Sequence, residues 1–320
     1  MASCPRSCSL GRDRVNADSR RVLVTGAGGF VGRHLVRRLL AEKYAVTGIL
    51  RGGVTPESVP DGLDAATWVW HDGTTEGMLD VVAAAAPDTV FHLASLFLSE
   101  HRAQDIDTLI ASNILFGTQL LEALAATHLP AVGLVNTGTS WQHFEGRDYD
   151  PVNLYAATKQ AFEDVLAYYV NALGLKAVTL KLYDTYGTDD PRPKLVHLLR
   201  ERSLSGEPLA MSAGEQLLDL VYIDDVVEAF LAAEAALASG AAGSGESFAV
   251  SSADLLSLRE VVATYETVTG RRVNIAWGER PYRDREVMVP WSAGAPVPGW
   301  APRVGLAEGF KRIDSSLESA

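Results

Sequence analysis

The sequence predicts an α/β fold: a doubly wound parallel sheet followed by a smaller C-terminal α/β substrate lobe. Short β-branched runs alternate with amphipathic helical stretches from Arg21 onward, a succession that builds parallel sheets covered by helices. The first run opens directly into a glycine turn and then a helix. Strand–helix–strand crossovers are right-handed, which makes a doubly wound sheet, the Rossmann fold, the natural topology.

Taken in order, Arg21–Thr25 (RVLVT) has the composition of a buried parallel strand. Gly26–Gly32 is the glycine turn. Val31, Leu35 and Leu39 then recur every four residues with Arg33, Arg37 and Arg38 between them, an amphipathic helix. Ala45–Leu50, Thr67–Trp70 and Thr89–Leu93 read as the next strands. Asn113–Ala126 is helical, with Leu120, Leu121 and Leu124 on one face. Ala131–Thr137 and Ala177–Leu182 are further strands, and Thr158–Leu173 is the helix between them. Beyond Gly187 the pattern loosens. Asp189–Pro193 is a polar loop, Asp224–Leu237 and Leu256–Thr269 are helical, and Ser247–Val250 and Val273–Trp277 are short strands. Residues 278–302 hold much of the Pro and Trp without periodicity. The division is therefore a tail over 1–20, a dinucleotide-binding domain over 21–187 and a substrate lobe over 188–320, with some elements shared.

Composition narrows the function. The 320 residues carry 28 basic and 40 acidic side chains, a net charge of −12, which argues against a nucleic-acid binder. The two cysteines, Cys4 and Cys8, exclude a disulfide scaffold and a thiolate metal cluster in the body of the chain, and no metal is expected. No apolar run approaches the ~20 residues needed to cross a bilayer. The Arg- and Ser-rich start lacks the apolar core of a secretory signal, so a cytoplasmic location is expected.

Thr25–Gly32 reads TGAGGFVG. Valine at 31 breaks the G-x-G-x-x-G pattern, but Gly26, Gly29 and Gly32 fit the wider G-x-x-G-x-x-G spacing. Glycine lets the backbone turn sharply against a pyrophosphate, and the helix that starts at Phe30 and Val31 offers free N–H groups. The second strand ends in Arg51, where NAD-preferring sheets commonly carry an acid. Arg51 can pair with a 2′-phosphate, assisted by Arg33, so NADP(H) is the expected cofactor; the alternative is a solvated loop arginine. Asp72-Gly73 follows the third strand, where an acid can accept from the adenine amino group. His92-Leu93-Ala94-Ser95 ends the fourth: His92 reads as structural, and Leu93, Ala94 and Ser95 as small-residue packing against the cofactor.

Tyr155-x-x-x-Lys159 places both side chains on one helix face. An isolated phenol, with pKa ~10, is a poor acid–base group near neutrality, and a nearby ammonium lowers that value. Thr139 lies just past the fifth strand, where its hydroxyl can hold a carbonyl beside Tyr155. Asn113, on the helix after the fourth strand, can anchor a water or backbone group in a proton path.

These motifs together resemble the extended short-chain dehydrogenase/reductase family: TGAGGFVG, Asp72-Gly73, His92-Leu93-Ala94, Asn113 with Gly117-Thr118, Thr139, Tyr155-x-x-x-Lys159, and Val221-Tyr-Ile-Asp-Asp225, in the family's order over residues 21–315. The resemblance implies a nicotinamide cofactor, often a nucleotide-sugar substrate, catalysis by Thr139, Tyr155, Lys159 and Asn113, and Tyr183 beside the cofactor. Homodimers are common in the family. Within it, Thr137–His143, Tyr183–Gly187 and Gly214–Asp219 look like the 4-keto-sugar reductases that make CDP-abequose or CDP-paratose. Thr139 stands where most members have Ser, keeping the hydroxyl. Asp184 stands where many have an Asn near the substrate diphosphate, an unfavourable exchange beside a phosphate. The Asp-Glu pair of the 4,6-dehydratases is replaced by Ser140-Trp141.

On the substrate side, Ser140, Trp141, Gln142 and His143 are expected to line the pocket, with Asp184 near the diphosphate. Arg192 and Lys194 are candidates to face it, as are Arg280, Arg283 and Arg285. The leading function is an NADPH-dependent ketoreductase of a nucleotide-linked 4-keto-6-deoxy sugar. The alternatives are a nucleotide-sugar epimerase, a reductase of a non-sugar ketone, and a non-enzymatic NADP(H)-binding sensor.

Overall fold

The computed structural model describes residues 19–51, 59, 62–127 and 132–318. The expected tail over 1–20 falls almost wholly outside them, as does the side chain of Arg51. The first half runs β1 (Arg21–Thr25), α1 (Phe30–Ala41), β2 (Ala45–Arg51), β3 (Thr67–His71), α2 (Thr75–Ala85), β4 (Thr89–His92), α3 (Ile106–Ile110), α4 (Phe116–Ala126), β5 (Gly133–Thr139), α5 (Leu154–Leu173) and β6 (Lys176–Leu182). The second runs β7 (Asp184–Tyr186), α6 (Leu195–Ser205), β8 (Leu209–Met211), β9 (Leu217–Tyr222), α7 (Ile223–Ser239), β10 (Ser247–Val250), β11 (Leu255–Ser257), α8 (Leu258–Thr269), β12 (Ile275–Trp277) and α9 (Leu306–Glu318).

Seven strands form one parallel sheet in the order β10-β6-β5-β4-β1-β2-β3. The winding direction reverses between β1 and β4, which pair from Val22↔Thr89 to Thr25↔His92. In such sheets a ligand crevice opens beyond the carboxyl ends of the strands at this reversal. One core lies between the sheet and α1, α7 and the lobe, around Leu35, Leu39, Phe91, Phe230 and Leu180. The other lies under α2, α4 and α5, around Met78, Leu120, Leu124 and Phe162. The lobe adds β11-β9-β7 and the pair β12-β8. Because β10 completes the main sheet, the chain returns to the first layer after entering the lobe.

Three expected boundaries move. The fifth strand runs to Thr139, which is its last residue and not the loop beyond it. Helix α5 starts at Leu154, because Asn153 caps it by accepting from the Ala156 N–H; Tyr155 therefore stands in its first turn. The helix expected from Asn113 begins earlier: α3 and α4 are joined through a π-helical turn, Ala111–Leu115, with Asn113 at its middle. With the short turn before it, this helix, Ala103–Ala126, is long and apolar enough to cross a membrane by length and composition, contrary to the expectation that no run would be, because polar residues spaced along it break the apolar run without breaking the helix. Its buried side, with Leu109, Asn113, Gly117, Leu120 and Leu124, packs into the second core.

Candidate active site

The crevice starts at β1. Gly26 has φ +66°, and a Cβ there would meet Ala94 N at 2.7 Å. A Cβ on Gly32 would overlap the carbonyl oxygen of Gly26. Gly29 precedes α1 in extended conformation with no side-chain cap, so the first-turn amides of Phe30, Val31 and Gly32 project from the helix end without a capping partner. This is a glycine cradle at a positive helix terminus, and its chemistry suits a dinucleotide pyrophosphate. Across it, Thr25 Oγ1 accepts from Leu93 N and Ala94 N, both at 3.1 Å, fixing the end of β4 against β1.

Asn113 occupies the π-turn with 1% exposure. Its Oδ1 accepts from Leu96 N at 2.7 Å and Ser95 Oγ at 3.1 Å; its Nδ2 donates to Leu96 O at 3.0 Å and Thr158 Oγ1 at 2.9 Å. All of these bonds are internal. Asn113 clamps the loop after β4 to α5, and the backbone group it anchors is that of Leu96. A π-turn is a common device for turning one side chain to such a use.

Tyr155 and Lys159 follow on α5. The Tyr155 hydroxyl is in hydrogen-bond contact with Ser95, and burial pushes its pKa up to about 12 against that contact. Lys159 is 1% exposed; burial, assisted by the like charge of Lys181 and opposed by Glu163, lowers it to about 8. Thr139 is buried at the end of β5, and its N–H donates to Gln142, which is bonded in turn to Gln160 and Glu163 of the same helix. The aromatic ring of Phe97 stands edge-on to Tyr155 at 5.0 Å and packs against Trp141 at 5.7 Å. Sequence reasoning missed Phe97; its one signal was an aromatic two residues after Ala94-Ser95, in the loop that follows β4.

From this aromatic floor a cleft of about 620 Å³ extends into the lobe. Trp141, Asp184 and Lys194 line its near end, Leu209, Met211, Leu218 and Leu258 its inner wall, and Arg280 and Arg283 its rim. Arg283 lies 6.0 Å over the Trp141 ring. Lys194 Nζ is 3.5 Å from Asp184 and 5.1 Å over Phe97. The carboxylate that seemed unfavourable beside a diphosphate thus carries its own counter-charge.

Several expected site residues are turned elsewhere. Of residues 140–143 only Trp141 lines the cleft. Gln142 is fully buried and bonded to Thr139 N, Gln160 and Glu163. His143 stacks on Trp291 at 3.9 Å, and Ser140 is buried in the turn, its carbonyl accepting from His143 N. Arg192 is not free to face a phosphate: its guanidinium donates to Asp190 and Thr185 O and lies 4.4 Å over Phe30. The Tyr183 hydroxyl donates to Trp291 O rather than toward the crevice. Asp72 folds onto the start of α2, accepting from Thr74 N and Oγ1, which holds its carboxyl below the usual range; Gly73 beside it takes φ +91° and accepts from Gln119 Nε2. Arg33 donates to Asp189 O, toward the lobe. Arg285 pairs with Asp150.

Comparison with known proteins agrees with this geometry. The chain is 28% identical to CDP-abequose synthase of Yersinia pseudotuberculosis, over 84% of this chain and 91% of that protein. It is 28% identical to UDP-glucose 4-epimerase of Mycolicibacterium smegmatis, over 91% and 96%. The crystal structure of Thermus thermophilus UDP-glucose 4-epimerase in complex with NAD superimposes with a TM-score of 0.77 at 28% identity, covering 94% of this chain and 99% of that one. The sequence profile of the NAD dependent epimerase/dehydratase family matches residues 22–250, from β1 to the end of β10. The glycine cradle, the Tyr155–Lys159 helix and the last strand of the sheet all fall inside that match, and the chain belongs to this family.

Proposed function

We propose that this protein is an NADPH-dependent ketoreductase that reduces the carbonyl of a nucleotide-linked 4-keto-6-deoxy sugar. The observation that carries the reading is Tyr155, which desolvation holds in its protonated form one helical turn before Lys159, edge-on to the Phe97 ring that lines the cleft. Bound NADPH supplies hydride to the carbonyl carbon. Tyr155 supplies the proton to the carbonyl oxygen, and reduction needs it as an acid, the form that burial favours. Thr139 donates a hydrogen bond to the same oxygen. Lys159 stabilises the phenolate left behind and holds the nicotinamide ribose. The glycine cradle binds the pyrophosphate. Arg51, ending β2 where an acid would serve NAD, supports the 2′-phosphorylated cofactor.

The cleft supports a nucleotide handle. In the parallel pair β12-β8, Leu209 N and Met211 O bond toward the β12 side. Ladder bonds alternate, so the Ala210 N–H and C=O face the other way, where Ala210 lines the cleft. A donor–acceptor pair on an apolar wall suits the edge of a planar base, and Arg280 and Arg283 at the rim suit a diphosphate.

Likeness to UDP-glucose 4-epimerases favours a second reading, nucleotide-sugar epimerisation with retained cofactor. One experiment separates the two. A reductase consumes NADPH stoichiometrically with a 4-keto sugar, and deuterium from the 4-position of labelled NADPH appears on the carbinol carbon. Tightly bound cofactor, with two sugar epimers interconverting and no NADPH used, decides for the epimerase.

A further inference from the structure

Behind Lys159 lies a charged cluster that the proposed chemistry does not use. Lys181 on β6 donates to both oxygens of Glu163, at 2.9 and 2.7 Å, and the two side chains are 4% and 13% exposed. Glu163 is one turn beyond Lys159 on α5. Its Oε1 also accepts from Gln142 Nε2 at 3.0 Å, Gln142 Nε2 donates to Gln160 at 2.8 Å, and Gln142 Oε1 accepts from the Thr139 N–H at 3.0 Å. A Cβ on Gly138 would meet Glu163, Lys181 and Gln142 together within 3.0 Å. The peptide before Thr139 is therefore pressed against the cluster, and the peptide of Thr139 is bonded to it.

A buried ion pair is weak evidence for added stability, since desolvation offsets much of its attraction. Its placement here gives it another use. We propose that the Glu163–Lys181 pair is a positioning element for catalysis: through Gln142 it orients Thr139, and through its charge balance it sets the protonation of Lys159. The proposal rests on the roles assigned above to Thr139 and Lys159. Among the described residues, the ionisable groups around Lys159 are Tyr155 and Glu163 on its own helix, Lys181 on β6 and His92 on β4, and of these Tyr155 and His92 are uncharged. Glu163 draws a proton to Lys159 and Lys181 repels it. Removing either partner must therefore move Lys159 in opposite directions.

The test reads Lys159 directly, without substrate or cofactor, by NMR titration of protein labelled with ¹³C at lysine Cε, the signal assigned with Lys159→Arg. Glu163→Gln is expected to lower the Lys159 midpoint by about 0.5–1 pH unit and Lys181→Met to raise it by a similar amount. The double variant Glu163→Gln/Lys181→Met, which leaves no charge unpaired, should return it toward wild type; it also covers the case in which Lys181→Met does not fold. Gln142→Leu should leave that midpoint in place and, in the carbonyl assay, lower kcat at unchanged cofactor affinity. A midpoint that stays fixed, or moves the same way in both single variants, overturns the charge-setting role. Normal kcat in Gln142→Leu overturns the positioning role. Failure of the wild type to reduce any ketone, with the midpoints moving as stated, would instead overturn the proposed reaction and leave the control of Lys159 standing.

Discussion

Thr25 Oγ1 and His92 Nδ1 lie 2.8 Å apart at the carboxyl ends of β1 and β4. Thr25 Oγ1 already accepts two backbone N–H groups, so its single hydrogen goes to His92. Nδ1 is the acceptor, and the neutral ring carries its proton on Nε2. Phe116 and Phe162 enclose the ring at 6.1 and 5.0 Å.

An acid-stability prediction follows from this pair. Burial, with Lys159 nearby, holds His92 down to about 3, whereas in the unfolded chain it protonates near 6.5. The unfolded state therefore binds more protons between these values, and stability falls as pH is lowered through that window. At about pH 4.5 this group alone should cost on the order of 2–3 kcal/mol relative to neutrality. Urea unfolding from about pH 7 to pH 4.5 should show a shallower loss in His92→Gln than in wild type; parallel curves would rule the effect out.

Tyr155→Phe removes the proton donor and keeps the ring packed against Phe97. Turnover should fall ~10²-fold or more, with NADPH affinity near wild type. Activity of the wild type should also decline as pH rises through about 8, where Lys159 loses its ammonium form. Steady-state rates across that range, with cofactor binding measured separately, check both points.

Arg51→Asp replaces a candidate 2′-phosphate partner with a like charge. NADPH binding should weaken by ~1.5–3 kcal/mol, roughly 10- to 150-fold, with a smaller change for NADH. Nicotinamide fluorescence titration measures it. Equal wild-type affinity for the two cofactors would remove the NADPH assignment.

Gly26→Ala places a side chain at positive φ against Ala94. It should destabilise the protein by ~1–3 kcal/mol and abolish dinucleotide binding, because the cradle must open to accept the methyl group. Thermal unfolding and cofactor titration of the same sample read the two effects.

Much of this site was legible in the sequence because its parts are local. The glycine spacing, the i,i+4 pair Tyr155/Lys159 and the β-branched strands each declare themselves within a few residues. Gln142 and Tyr183 turn from their expected places toward partners far away in sequence, Glu163 and Gln160 on another helix and the Trp291 carbonyl, while Arg192 is taken by its near neighbour Asp190 and by Phe30 at the start of α1. No periodicity reports such contacts. The short strands β7, β8, β9 and β11 and the helices α2 and α6 escaped for a related reason, since short or weakly patterned segments are fixed by what they pack against; α9 was legible, with Leu306, Phe310 and Ile313 recurring at helical spacing.

The late return of β10 to the main sheet has a consequence for how the chain reaches its native state. Until residues 247–250 emerge and pair with Thr179–Leu182, β6 ends the sheet with a row of open N–H and C=O groups. The segment beyond it is stitched back as well, by Ala249 N to Ala295 O and by Arg303 N and Val304 N to the buried Asp225. A ribosome-bound or truncated chain ending near Gly187 would hold most of the cofactor crevice but an uncapped sheet border, the kind of edge that pairs with other chains. Premature termination there should yield insoluble protein, and the final third of the gene product acts as the seal on the first.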